Sequence, residues 1–178
     1  IEKYDVQKIN VDIDLLTNNN ELNIEKLKNS DIKFKNAEYV FNEKFIVSRE
    51  VEKMSKSKFN VVSPDKICDK YGADTLRMYE MFLGPLEQSK PWNMDGITGV
   101  HNFLKKFWNL FHDETRFNVL DTKPNENSLK ILHKTIKKVN SDIENYSFNT
   151  CISAFMICVN ELSSLNEKSS DVLRNLCI

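Results

Sequence analysis

The residues best suited to chemistry in this sequence are three lysines and two serines within six positions, Lys53-Met54-Ser55-Lys56-Ser57-Lys58. Each lysine is a compact positive charge with three hydrogen-bond donors, and each serine adds a hydroxyl donor. Such groups can surround a polyphosphate, and a helix that begins nearby at Pro64 would add the partial positive charge of its N-terminus. The pattern therefore predicts a nucleotide-triphosphate loop, with an ordinary solvated Lys/Ser loop as the alternative.

The segment that precedes this loop predicts a small acidic unit with β-structure over residues 1–50. Apolar and polar residues alternate over 9–16, which is the period of a half-buried strand. Residues 38–47 predict a β-hairpin with a tight turn at Asn42-Glu43. A short helix is expected around residues 24–28.

Helix signals begin after the loop. Ser63-Pro64-Asp65 combines an N-cap, a proline at the first helical position and an acid in the first turn, and Gly72 ends that helix. Asp74 is expected to cap a second helix that stops at Gly84-Pro85. Residues 86–95 are then expected to be non-helical.

From Gly96 onward the spacing predicts an incomplete antiparallel helical bundle over 97–178. Its first helix should bury an aromatic stripe, and its second helix a stripe of aliphatic residues ending in a tyrosine. A third helix is expected near 149–165, and a fourth begins at Asp171. The fold class is thus α+β. The expected first stripe is Val100, Phe103, Leu104, Phe107, Trp108 and Phe111, and the second is Leu129, Leu132, Ile136, Val139, Ile143 and Tyr146.

Composition excludes several classes. The 178 residues carry a net charge of −1, and 40% of them are hydrophobic, so the chain is neither disordered nor strongly polyanion-binding as a whole. No apolar run has the length of a membrane span and no signal pattern occurs, so a cytoplasmic protein without membrane contact is expected. Cys68, Cys151, Cys158 and Cys177 form no ligand pair, which predicts buried thiols and no metal site.

Residues 53–57 resemble the KMSKS signature of class I aminoacyl-tRNA synthetases, and residues 58–64 continue as in the leucine/isoleucine/valine subgroup. Three further stretches, 71–77, 81–92 and 99–104, are similar to the leucine-specific members. The resemblance is specific over residues 51–112 and looser beyond. It implies a leucine-specific insertion over 1–50, the KMSKS loop and stem-contact helices over 51–96, and the start of the anticodon-binding bundle over 97–178.

The resemblance also implies roles for individual residues. In this family the loop closes over ATP while the substrate carboxylate attacks the α-phosphate. Lys56 would then stabilise charge on the leaving pyrophosphate with help from Lys53, Ser55 and Ser57 would hold the closed loop, and Met54 would pack. All five residues would bind ATP, which is used together with Mg²⁺.

The further partners that the resemblance implies are leucine and tRNA(Leu), acting on a monomeric parent protein. Lys58, Trp92, Lys105 and Lys106 are candidates for tRNA contact, while the alternatives are a packed tryptophan and solvated lysines. Lys134, Lys137 and Lys138 are weaker candidates of the same kind.

The signature histidine pair of the family, its editing domain and its leucine pocket have no counterpart in these residues. None of His101, His112 and His133 is expected to be catalytic. We therefore expect the chain to be a piece of a longer protein and to be inactive by itself. Two alternatives stay open, namely a non-catalytic tRNA-binding module derived from a synthetase and an isoleucine- or valine-specific enzyme.

Overall fold

The computed structural model describes residues 8–17, 19–40, 44–114 and 116–178, and within them the chain is rich in helix with one two-stranded antiparallel sheet. This agrees with the expected α+β class. The chain divides into two compact units, residues 1–63 and residues 64–178. The finer division at residues 50 and 96 stays a prediction.

The described residues of the first unit form two short helices, α1 (Ile24–Ser30) and α2 (Ile32–Lys35), and two 3₁₀ turns, Ile13–Leu15 and Lys56–Lys58. Helix α1 agrees with the helix expected around 24–28. It begins where it does because the Asn23 side chain accepts a hydrogen bond from the Lys26 amide at 2.9 Å. Leu22 and Leu27 are buried here.

The strand predicted over residues 9–16 is wrong. The Asp12 carboxylate accepts a hydrogen bond from the Asp14 amide at 2.9 Å, and this local bond begins the 3₁₀ turn Ile13–Leu15. Side-chain bonds of this type compete with an extended backbone. Alternation alone therefore overestimated strand formation in this segment.

The pairing predicted for the hairpin over 38–47 is also wrong in its described part, while its turn at Asn42-Glu43 lies outside the described residues. The backbone of 44–47 bonds to residues 20–22 instead. Leu22 N–H donates to the Phe45 carbonyl at 2.8 Å, and Val47 N–H donates to the Asn20 carbonyl at 3.1 Å. The rings of Tyr39 and Phe45 pack edge to face at a centroid distance of 6.4 Å.

In the described part of the second unit, the chain forms six helices and a short hairpin. Its helices are α3 (Pro64–Tyr71), α4 (Ala73–Phe82), α5 (Ile97–Phe111), α6 (Glu126–Glu144), α7 (Phe148–Ser164) and α8 (Ser170–Leu176), and its strands are β1 (His112–Asp113) and β2 (Arg116–Phe117).

Sequence signals placed these helices well, with one cap wrong. Helix α3 begins at Pro64 and ends before Gly72, as expected. Helix α4, however, follows Gly72 directly, so Asp74 lies in its first turn and does not cap it. Gly72 has a φ of +87°, a conformation that favours glycine, and it makes the break between the two helices.

Helix α7 is central to the second unit, because it packs against α4, α5 and α6, while α8 packs against α6. The aromatic stripe of α5 contributes only in part. Phe103 is buried and Phe107 and Phe111 pack against the core, but Trp108 is 60% exposed, contrary to expectation. Its indole stacks on the His112 ring at 3.9 Å. The core consists of Phe103, Leu110, Leu132, Cys158, Val159, Leu162, Val172, Leu173 and Leu176.

Helix α6 turns inward only part of the stripe predicted for it, and Leu129 of that stripe packs against the core. Leu132 is buried, but Ile136, Ile143 and Tyr146 are exposed. Polar residues of α6 are buried instead, at Ser128, Thr135 and Asp142. Thr135 and Asp142 can be buried because the Thr135 hydroxyl donates to the Ile131 carbonyl at 2.9 Å and Lys138 donates to Asp142.

The four cysteines differ in burial. Cys151 and Cys158 are buried, as predicted, and burial raises the pKa of both thiols. Cys68 is half-buried and Cys177 is exposed, so the expectation of four buried thiols is wrong for these two. All four are free thiols.

In the described part of the chain, no helix has both the length and the apolar character that crossing a membrane requires.

A buried carboxylate lies in the connection between α7 and α8. Glu167 is 7% exposed, and its Oε1 accepts a hydrogen bond from the Ser169 amide at 2.7 Å. Burial by itself would raise the pKa of the Glu167 carboxyl, but the hydrogen bonds that it accepts lower the pKa by more. Nearby, the Leu120 amide donates to the Lys168 carbonyl at 2.8 Å, which ties the α5–α6 connection to the same place.

We expect Glu167→Gln to lower the free energy of unfolding by about 1–3 kcal/mol near neutral pH, the contribution typical of a hydrogen bond to a charged acceptor. Because the folded-state pKa lies below the unfolded value of about 4.3, this stabilisation is present above that pH and is lost as the pH falls through the folded-state pKa. Urea unfolding of the two proteins between about pH 7 and pH 3 should therefore converge at low pH. A difference that stays constant over this range would contradict the assignment.

Candidate functional site

Local backbone bonds shape the lysine-rich loop. The Lys58 amide donates to the Ser55 carbonyl at 3.1 Å, and the Phe59 amide donates to the Lys56 carbonyl at 3.2 Å, which closes the 3₁₀ turn Lys56–Lys58. Phe59 then adopts a left-handed conformation with a φ of 54°. This reverses the chain direction, so that Asn60 returns toward the start of the loop.

Asn60 is a residue of this site that sequence analysis missed. Its side-chain oxygen accepts a hydrogen bond from the Ser55 amide at 2.8 Å. Its Nδ2 donates to the Lys53 carbonyl at 3.4 Å. The available signal was a single asparagine in a loop, a residue type that commonly bonds nearby backbone.

The two lysines expected to meet phosphate have free charges. Lys53 and Lys56 are exposed, and neither forms an ion pair within the described residues. The hydroxyl oxygens of Ser55 and Ser57 lie 3.1 Å apart and share a hydrogen bond. Met54 was expected to pack, but its side chain is 44% exposed in this unit. The loop thus presents two cations and two hydroxyls on an exposed segment.

Lys58 differs from its two neighbours. Its ammonium group lies 2.5 Å from the Glu52 carboxylate, and both side chains are partly exposed. The ion pair joins the residue just before the signature to the residue just after it. Lys58 therefore already has an anionic partner, which a tRNA phosphate would have to replace.

Trp92 occupies a packed position in the second unit. Its ring meets Tyr79 edge to face at a centroid distance of 5.7 Å, and its indole N–H is buried without a hydrogen-bond partner. Burial raises the pKa of the Tyr79 hydroxyl, which donates to the Asn93 carbonyl. These contacts favour the interpretation of Trp92 as an anchor of the fold over a role in stacking on RNA.

The lysines of the helices divide into paired and unpaired ones. Lys106 of α5 donates to the Asn160 side chain of α7 at 2.9 Å, and Lys138 pairs with Asp142. Lys105 is exposed and has no polar partner within the described residues. Lys134 and Lys137 are exposed on α6 in the same way.

The histidines occupy structural or exposed positions. His101 Nδ1 lies 3.3 Å from the Thr75 hydroxyl, and its ring packs edge to face on Tyr71 at 5.7 Å. His112 stacks on Trp108, and His133 is exposed on α6. Within the residues that the structure describes, no group of three His, Cys, Asp or Glu side chains could hold a metal ion.

Three comparisons relate this loop and its surroundings to known proteins. The model of the family "tRNA synthetases class I (I, L, M and V)" matches residues 26–92, which include the whole lysine-rich loop. The leucine–tRNA ligase of Christiangramia forsetii is 58% identical over all of this chain, and that of Flavobacterium johnsoniae is also 58% identical over all of it.

A solved structure is similar as well. The LeuRS of Agrobacterium radiobacter K84, in a ternary complex described as LeuRS–tRNA–LeuAMS, matches 69% of this chain with 26% identity and a TM-score of 0.55. The matched part is 18% of that protein. The two bacterial relatives extend much further too, since this chain spans about a fifth of their length, 19% in each case.

The loop signature, the family model and the relatives agree that this chain is similar to class I aminoacyl-tRNA synthetases. Within the class, the relatives place it with the leucine–tRNA ligases.

Two glycines near Trp92 and Tyr79, at positions 96 and 99, differ in how much space surrounds them. A Cβ at Gly96 would lie 3.0 Å from Tyr79 Cε2 and 3.2 Å from its hydroxyl oxygen, whereas a Cβ at Gly99 would meet no atom within 4 Å. We expect Gly96→Ala to destabilise the protein by about 1–3 kcal/mol through overpacking. Gly99→Ala lies inside α5 and should stabilise it by about 0.4–1 kcal/mol.

Thermal or urea unfolding of this chain measures both effects. The two variants make the same chemical change three positions apart, so each is the control for the other. Equal effects of the same sign would mean that Tyr79 does not pack against Gly96 as described.

Proposed function

We propose that this chain is the part of a leucine–tRNA ligase that carries the KMSKS loop, and that Lys53 and Lys56 stabilise the phosphates of ATP during leucine activation. The observation that carries the proposal is the loop itself. It combines the family signature with two exposed lysines that lack ion-pair partners among the described residues, and with backbone bonds that hold its shape. A loop in this state can receive an anion without first breaking ion pairs at these two lysines.

The proposed chemistry places the lysines where charge develops. The leucine carboxylate attacks the α-phosphorus of ATP, the bond from that phosphorus to the bridging oxygen breaks, and pyrophosphate leaves with the electron pair. Lys56 stabilises the charge on the leaving group, and Lys53 assists it. Met54 and the hydroxyls of Ser55 and Ser57 complete the ATP-binding segment. The leucyl-adenylate then gives its acyl group to tRNA(Leu), and AMP leaves.

Mg²⁺ accompanies ATP in this proposal, but the residues of the loop do not suit the ion itself. Mg²⁺ prefers carboxylate and water oxygens, whereas the loop offers ammonium groups and hydroxyls. The one carboxylate next to it, Glu52, already pairs with Lys58. We therefore assign no step to Mg²⁺ through these residues.

The proposal extends to the rest of the chain. Residues 1–50 are the leucine-specific insertion, 51–96 the KMSKS loop with stem-contact helices, and 97–178 the start of the anticodon-binding bundle of a monomeric cytoplasmic enzyme. Among the candidates for tRNA contact, Lys105 is best suited because it is exposed and unpaired in the described structure. Lys58 and Lys106 have protein partners, and Trp92 is packed.

The decisive measurement is ATP–pyrophosphate exchange by the full-length parent protein with leucine, isoleucine or valine. We expect exchange with leucine, and a loss of roughly 10²-fold in kcat/KM for ATP in Lys56→Ala, as when a preorganised charge donor is removed. Lys53→Ala should show a smaller loss of the same kind. Lys26→Ala removes an exposed lysine of α1 that forms no ion pair in the described structure, and it should have no effect.

Each alternative predicts a different result. Exchange with isoleucine or valine and not with leucine would identify another member of the subgroup. A parent protein that binds tRNA but gives no exchange with any amino acid would be a tRNA-binding module. The 178-residue chain alone should show no ATP–pyrophosphate exchange with any of the three amino acids.

A further inference from the structure

One side chain forms hydrogen bonds with the backbone at two positions of the KMSKS signature. The Asn60 amide accepts from the Ser55 amide at 2.8 Å and donates to the Lys53 carbonyl at 3.4 Å. Asparagine can do this because its side chain carries an acceptor and a donor at one end. The two bonds reach the first lysine of the signature and the serine that precedes the second.

We propose that Asn60 is a positioning residue for the KMSKS loop, which fixes the backbone at Lys53 and Ser55 so that Lys53 and Lys56 are presented together to the phosphates. This inference rests on the proposed function, because it needs phosphate-directed lysines to position. Asn60 itself touches no reacting atom in this role.

The two hydrogen bonds of the Asn60 side chain are called the Asn60 tie. The loop needs this tie because it is too exposed for hydrophobic burial to fix its conformation. Lys53, Met54, Lys56 and Ser57 are exposed, and Phe59 beside Asn60 is 50% exposed. Ordering a residue costs backbone entropy, and an exposed loop gains little hydrophobic energy in return. Hydrogen bonds inside the loop are then the interactions that select one backbone conformation.

The position of Asn60 follows from the local backbone. The turn Lys56–Lys58 and the left-handed Phe59 reverse the chain, which brings residue 60 back to residues 53 and 55. The Glu52–Lys58 ion pair closes the same loop from outside the signature, at 2.5 Å. That ion pair is exposed to solvent and contributes little to the stability of the loop. The two hydrogen bonds of the Asn60 side chain therefore contribute more to its conformation.

Preorganisation predicts how the loss of Asn60 appears in kinetics. Without the tie, part of the binding energy of ATP would be used to order the loop, and charge stabilisation at the pyrophosphate would weaken. In the full-length parent protein, Asn60→Ala should lower kcat/KM for ATP in pyrophosphate exchange by about 10-fold, within the range of two lost hydrogen bonds. The KM for leucine and the unfolding temperature should stay close to wild type.

A double mutant tests whether Asn60 acts through Lys56. If it does, Asn60→Ala adds little once Lys56→Ala is present, and the double variant resembles the single Lys56→Ala variant. Effects that simply multiply would overturn the proposal. Asn60→Gln, which keeps the amide but displaces it by one methylene, should also lose activity, and it serves as the second variant if Asn60→Ala does not fold.

Hydrogen exchange tests the tie without any ligand. Exchange of the Ser55 amide should become faster in Asn60→Ala, while Asn29→Ala, a change of an exposed asparagine in α1, should leave it unchanged. An unchanged Ser55 amide would overturn the proposal.

The outcomes separate this inference from the function beneath it. If Lys56→Ala retains full exchange activity, the proposed role of the lysines fails. If Lys56→Ala is impaired and Asn60→Ala is not, only the positioning role of Asn60 fails.

Discussion

A loop that offers two cations to solvent cannot be held in place by a hydrophobic core. Around Lys53 and Lys56 the backbone is ordered by bonds within a few residues: a 3₁₀ turn, a left-handed Phe59 and the side-chain amide of Asn60. This arrangement satisfies backbone groups without using the lysine side chains. The lysine charges stay unpaired because backbone groups and the Asn60 amide fix the conformation of the loop. Such a loop can bind an anion with little reorganisation.

The second unit differs from the exposed loop because its core contains buried polar groups that need hydrogen-bond partners. Thr135, Asp142 and Glu167 are buried, and each has a hydrogen-bond partner. Because an unsatisfied buried polar group costs about 1–3 kcal/mol, these hydrogen bonds offset part of the cost of burying polar groups on α6 and beside α8. Ser128 Oγ, Asp142 Oδ2 and Ser169 Oγ are buried there without a partner among the described residues. The helices around α7 thus depend on a few polar contacts as well as on apolar packing.

Contacts of lysine side chains with other residues reduce the number of lysines that are candidates for contact with a nucleic acid. The resemblance gave Lys58, Lys105 and Lys106 alike as candidates for tRNA contact. In the fold, Lys58 pairs with Glu52 and Lys106 with Asn160, whereas Lys105 is exposed and unpaired among the described residues. Phosphate contact costs less at a lysine without a protein partner, because no existing bond has to be exchanged.

From the sequence alone we could predict the similarity to class I synthetases, through the KMSKS signature, and the positions of most helices. Helix ends depend on residues within one turn, such as Pro64 and Gly72, so they can be read locally. The tertiary structure alone decided that residues 44–47 bond to 20–22, that Trp108 is exposed, and which face of α6 is buried. It also decided that Asn60 bonds across the loop. These outcomes depend on a turn geometry or on partners distant in sequence, and periodicity carries no information about which partner a backbone or side-chain group will find.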